Sequence, residues 1–160
     1  MASGVSERET LEGALAWYRA VIEQKVEGLT LDQARTILTP TGLSLLGVIK
    51  HLGWAERGWF RDIFAGEDVE SVDFGGDNSV EFAIDRDDSI ESVLGFYRDE
   101  AMRSRDISAN SALEGLSARP SPLGEHVSLR WILVHMLEET ARHAGHMDLM
   151  RENIDGRTGD

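Results

Sequence analysis

The strongest candidates for metal chemistry in this sequence are Glu139 and His143, which lie in a long apolar segment near the C-terminus. If the segment is helical, residues i and i+4 share one face, so this carboxylate and imidazole can bind one metal ion. The best third ligand is His51, which lies far upstream in another apolar stretch, residues 45–60. Two histidines and one glutamate would leave a coordination position of the metal for water or substrate. Such an open position is typical of catalytic sites, whereas structural sites are closed by protein ligands.

The angular position of the pair on the predicted helix supports this interpretation. At roughly 100° per residue, Glu139 and His143 fall within or beside the apolar side of the helix and point toward the core. A buried carboxylate without a partner is costly, and a metal ion would supply one. From spacing alone, an interhelical hydrogen bond or a salt bridge to an arginine explains the pair equally well. Spacing also leaves iron open, because non-haem iron sites use the same donor set.

Other catalytic patterns are missing from the sequence. It has no Glu-x-x-His pair, which argues against a ferritin-like di-iron bundle, and no His-Glu-x-x-His, which argues against a zincin protease. It also has no cysteine, so disulfides, thiolate ligands and a cysteine nucleophile are excluded. Any thiol chemistry would have to use a thiol that the substrate brings.

Composition limits the partners. The formal net charge of −13 argues against binding to nucleic acid or to an anionic membrane, since both require basic surface. No apolar run approaches the roughly 18 residues of a membrane span, and the polar residues 1–9 lack a signal-peptide core, which predicts a cytoplasmic protein. Arginine greatly outnumbers lysine, since the only lysines are Lys25 and Lys50. This bias is typical of a GC-rich genome such as that of an actinobacterium.

The apolar periodicity predicts an all-α protein, a four-helix bundle with long connections, in a single domain over residues 1–160. The predicted helices cover residues 6–28, 44–64, 89–107 and 128–154, with a short extra helix at 30–38. The acidic connection 67–88 is long enough for a functional cover or a mobile loop, although a solvated connection is the simpler interpretation. A second connection, 108–127, contains prolines.

Two segments of this pattern resemble a known family. Gly47–Leu52 (GVIKHL) and Val127–Glu152 (VSLRWILVHMLEETARHAGHMDLMRE) closely resemble the DinB superfamily, in particular its single-domain actinobacterial branch of mini-circle or unknown-function proteins. The resemblance implies a four-helix bundle that holds a divalent metal, usually zinc or nickel, between helices two and four. Many relatives use a His-x-x-x-His pair on the last helix. Here Glu139 replaces the first histidine, as in mycothiol-dependent maleylpyruvate isomerase, and the ligands carried over are His51, Glu139 and His143.

The function implied by the resemblance is that of a metal-dependent thiol S-transferase. The chain is too short for the second domain of maleylpyruvate isomerase, so a transferase that joins a small thiol, such as mycothiol or bacillithiol, to an electrophile is the better analogy. Its partners would be these small molecules, with the metal activating the thiolate. Four residues are candidates for contacts with the substrate or with the metal ligands. They are Arg142, His146, His135 and Trp54. The simpler interpretation is that the arginine among them lies on the surface and that the tryptophan belongs to the core.

Two alternative functions stay open at this point. One is a non-catalytic metal-binding stress or interaction protein, in which His135 or His146 would close the site as a fourth ligand. The other is a metal-dependent hydrolase, in which water replaces the thiol and Glu139 acts as a base. Relatives commonly dimerise through a bundle face, but the sequence has no distinctive exposed apolar stripe to support a homodimer here.

Overall fold

A computed structural model describes residues 4–70 and 80–159. Within these residues the chain forms helices and no strand, apart from one isolated bridge between Leu116 and Ser128. The α-helices are α1 (Glu7–Gln24), α2 (Leu31–Arg35), α3 (Leu45–Glu56), α4 (Ile90–Ala109) and α5 (Leu129–Asp155). A π-helix, Arg57–Phe64, continues α3, and a 3₁₀ turn, Val80–Phe82, precedes α4. The prediction of an all-α bundle with long connections is confirmed.

The helices of the bundle begin at residues whose side chains cap them. Ser6 and Glu9 form a capping box at the start of α1, as the sequence predicts, and serines also cap α3, α4 and α5. Gly156 ends α5 with φ at 75°, a left-handed conformation that glycine adopts without steric cost. These caps fix where α3 and α5 start and therefore the register of the candidate ligands along both helices.

The second predicted helix has the expected extent but not a uniform geometry, since residues 57–64 are π-helical. Arg57 and Arg61 of this segment both donate hydrogen bonds to the buried carboxylate of Glu100 on α4. These ion pairs hold the wider turns against α4. The short extra helix is also smaller than predicted, because the backbone at Thr36 is extended and ends α2 there.

The candidate site lies between α3 and α5, which pack against each other in the middle of the bundle. His51 contacts Glu139 and His143. Trp59, which follows His51 in the chain, contacts Trp131 and His135, which precede Glu139 on α5. The two helices therefore run antiparallel. Two apolar clusters fill the core around them. One surrounds α3 and contains Leu52 and Met147, and the other surrounds Phe60, Ile132 and Met136.

Among the described residues, no helix is both long enough and apolar enough to cross a membrane.

Candidate metal centre

The structure brings together the three predicted ligands. Nε2 of His51 on α3 lies 3.0 Å from Oε1 of Glu139, and Nε2 of His143 lies 3.1 Å from the same oxygen. One atom from each residue can be chosen so that all three lie within 4.8 Å of one another. Both histidines are buried, at 8 % and 6 % exposure. Glu139 and His143 therefore share a face of α5 that is turned toward His51, as the spacing predicts, and their role as metal ligands stays a prediction.

The electrostatics of the group favour an ionised carboxylate between two imidazoles. Hydrogen bonds from the two histidines hold the pKa of Glu139 well below its usual range, and the bond from His143 has a larger effect than the bond from His51. Burial acts to lower the pKa of His51, but hydrogen bonds to Glu139 and Glu81 outweigh it and leave that pKa raised. A cation bound to these three atoms would take the place of the protons that these hydrogen bonds require.

The donor set fits a divalent transition metal. Two imidazole nitrogens and one carboxylate oxygen suit zinc, nickel and iron. In the described part of the chain, Nδ1 of His143 is buried and has no hydrogen-bond partner, so the polar contact of this ring is made by Nε2. The group that could hold an ion contains His51, Glu139 and His143, without His135 or His146. Three protein ligands leave at least one coordination position for another molecule.

Two of the predicted neighbouring residues lie beside the ligands. Arg142 forms ion pairs with Glu139 and Glu138, both at 3.0 Å, and its side chain is 49 % exposed. The exposed ring of His146 lies 5.3 Å from the ring of His143, centroid to centroid. The partial removal of water from this ring by its neighbours, together with the positive charges of His143 and Arg142, lowers the pKa of His146. Both side chains therefore stand at the solvent-facing edge of the group.

The other two predicted neighbours pack against aromatic side chains. His135 packs between Trp59 and Trp131, with ring centroids 4.5 Å and 5.1 Å away, and burial lowers its pKa. Trp54 packs against the ring of Phe96, and the Arg57 guanidinium lies over both rings. A part for either residue in substrate binding stays a prediction.

A cavity of about 370 Å³ begins one helical turn beyond His51. Its walls come from the end of α3, the π-helix, Val69 and Glu70 of the first connection, and the second connection, and they are mostly apolar. They include Trp54, Ala55, Arg57, Trp59, Pro120 and Pro122.

The sequence interpretation missed the residues that cover His51 from the acidic connection. Oε2 of Glu81 lies 2.5 Å from Nδ1 of His51, and the Phe82 ring stacks on the same imidazole with centroids 4.3 Å apart. A solvated connection is therefore wrong for this part of residues 67–88, while residues 71–79 lie outside the described residues. The sequence holds no distinctive signal for this contact, because Val72-Asp73-Phe74 in the same connection repeats the pattern of Val80-Glu81-Phe82, a carboxylate between two apolar residues.

The fold and the site together define a helical bundle that carries a potential metal-ligand group between two facing helices. The chain matches the family described as mycothiol-S-transferase over residues 10–156. Since this match covers most of the chain, the protein belongs to that family, and the resemblance recognised in its sequence is confirmed. A comparison with curated proteins found no significant match.

Proposed function

We propose that this protein joins the sulfur of mycothiol, or of a closely similar small thiol, to an electrophilic carbon, using a divalent metal held by His51, Glu139 and His143. Membership of the mycothiol-S-transferase family supports the thiol. The observation that carries the metal dependence is the convergence of the three ligand atoms within 4.8 Å. Zinc or nickel is the ion we favour, because both bind imidazole well and need no redox partner in this reaction.

An open coordination position supports catalysis over a structural role. Structural zinc sites are usually closed by four protein ligands, whereas catalytic sites have three and an open position. The alternative in which His135 closes the site would require it to leave its place between Trp59 and Trp131. His146 would have to move from the exposed edge of α5. We therefore favour a site that admits a substrate atom.

The reaction needs a thiolate near neutral pH. A divalent cation at this position would supply the charge that lowers the pKa of a thiol sulfur. The thiol proton would leave toward solvent at the edge where His146 and Arg142 stand. The sulfur would then form a bond to the electrophilic carbon as the leaving group departs with its electron pair.

The protein side chains would serve to place the two substrates. Arg142 shares its charge with Glu138 and Glu139 but remains half-exposed, so it can also bind a polar group of the thiol. The apolar cavity beside Trp54 and Trp59 offers a place for the electrophile. Its volume, about 370 Å³, falls at the lower end of the range typical of ligand pockets.

Titration of the cobalt-substituted protein with mycothiol tests this proposal. We expect a sulfur-to-cobalt charge-transfer band that saturates with the thiol, together with metal-dependent consumption of the thiol when an alkylating electrophile is added. The exposed variant Arg86→Ala should behave as the wild type in both assays. Bound cobalt without the band would contradict the thiol site, and hydrolysis without thiol dependence would instead indicate a metal-dependent hydrolase.

A further inference from the structure

The 3₁₀ turn Val80–Phe82 lies against the imidazole of His51, and its Glu81 carboxylate contacts the ring nitrogen that does not face Glu139. We propose that Glu81 is a positioning residue of the metal centre. Its carboxylate accepts a hydrogen bond from the Nδ1–H group of His51, which keeps the proton on Nδ1 and leaves Nε2 free to face the metal position. This inference rests on the proposed metal site.

The geometry assigns the two ring nitrogens of His51 to different partners. Nδ1 lies 2.5 Å from Glu81 Oε2, while Nε2 lies 3.0 Å from Glu139 Oε1. An ionised carboxylate can only accept hydrogen bonds, and in the structure each nitrogen of His51 faces one. A metal bound at Nε2 would replace the proton there, and the proton that remains on Nδ1 would be held by the hydrogen bond to Glu81. Histidine ligands commonly make such a bond, which fixes the tautomer and increases the basicity of the ligand.

The surroundings of Glu81 are shielded enough for this bond to matter. The Glu81 side chain is 14 % exposed and that of His51 is 11 % exposed, so solvent screens their interaction little. The Phe82 ring is tilted by only 20° from the imidazole plane and limits how the His51 ring can turn. One turn therefore supplies both the hydrogen-bond acceptor and the apolar cover.

The turn is held on α3 by several contacts. A Cβ atom added at Gly47 would lie 2.5 Å from the carbonyl oxygen of Phe82, so the close approach of the turn requires glycine there. Beyond the turn, Nζ of Lys50 on α3 forms 2.7 Å ion pairs with both Asp85 and Asp88. The position of Glu81 is therefore set by the packing of this segment.

Metal affinity measured by competition with a chromophoric chelator tests the inference directly. We expect Glu81→Ala to bind zinc 10–100-fold more weakly than the wild type, the usual loss when such a partner is removed. Glu81→Gln should fall in between, because its amide oxygen can still accept the proton. Asp87→Asn, which removes one charge from an exposed position in the same connection, should bind zinc as the wild type does.

A second variant and a second readout separate positioning from a general loss of structure. Gly47→Ala favours the helix by about 1 kcal/mol, yet it should weaken zinc binding by displacing the turn. In the zinc-loaded wild type, the Nδ1 proton of His51 should give a slowly exchanging downfield NMR signal that is lost in Glu81→Ala.

The outcomes distinguish this inference from the metal site on which it rests. Wild-type affinity in Glu81→Ala, or an unchanged Nδ1 signal, would overturn the positioning role and leave the metal site standing. A wild-type protein that binds no zinc would overturn both. Equal weakening by Asp87→Asn would overturn the specific part of Glu81 and assign the effect to net charge.

Discussion

The buried ion pair between Arg19 on α1 and Glu56 at the end of α3 gives the sharpest stability prediction. The guanidinium donates two hydrogen bonds, of 2.7 Å and 2.6 Å, to the two carboxylate oxygens. Arg19 is 3 % exposed and Glu56 is fully buried. Neither residue belongs to the candidate ligand group, so the pair can be broken without removing a metal ligand.

We expect Glu56→Gln to destabilise the protein strongly while preserving the shape of the side chain. Removing one partner of a buried pair leaves the other charge uncompensated, which costs about 3–5 kcal/mol. For a protein of 160 residues, each kcal/mol shifts Tm by about 2–4 °C, so Tm should fall by roughly 6–20 °C. Circular dichroism during heating and urea unfolding would measure both quantities.

An exposed pair supplies the matched control. Glu23 and Arg98 lie 2.8 Å apart, but their side chains are 30 % and 56 % exposed. Glu23→Gln should therefore cost less than about 1 kcal/mol, because solvent screens such pairs. If Glu56→Gln costs no more than Glu23→Gln, the argument from burial is refuted.

Three further predictions concern a buried hydroxyl, pH and the number of ligands. Tyr97 has a fully buried hydroxyl that finds no hydrogen-bond partner among the described residues. Tyr97→Phe should therefore leave the free energy of unfolding in urea unchanged or raise it by up to about 1–3 kcal/mol. A decrease of more than about 1 kcal/mol would contradict this prediction. Burial acts to lower the pKa of His51, but hydrogen bonds to Glu139 and Glu81 raise it overall. Metal binding should therefore release protons and weaken as pH falls. Calorimetry in two buffers of different ionisation enthalpy measures the release, and binding without proton release would contradict this prediction. His146→Ala should retain one equivalent of zinc by mass spectrometry, whereas loss of the metal would make His146 a fourth ligand.

The sequence was sufficient to predict that the three candidate ligands meet, because helical spacing fixes local geometry. Glu139 and His143 share a face of α5 whatever the rest of the chain does. Adding His51 required only that two amphipathic helices bury their apolar faces against each other. The capping serines, such as Ser128, marked where those helices begin.

The features that the sequence did not predict depend on contacts between distant segments. Glu81 reaches His51 only because the acidic connection folds back over α3, and no periodicity encodes that path. The π-helix likewise carries Arg57 and Arg61, which form ion pairs with Glu100 of another helix. In both cases the contacts join segments far apart in the chain, and an apolar pattern carries no record of them.

Metal content of the purified protein tests the central claim most directly. Protein prepared without a metal-affinity tag should contain one equivalent of a divalent metal by mass spectrometry, and the exposed variant Arg86→Ala should match it. His51→Ala, Glu139→Ala and His143→Ala should each remain helical but lose most of the metal. Stoichiometric metal in all three variants, or none in the metal-replete wild type, would contradict the proposed centre.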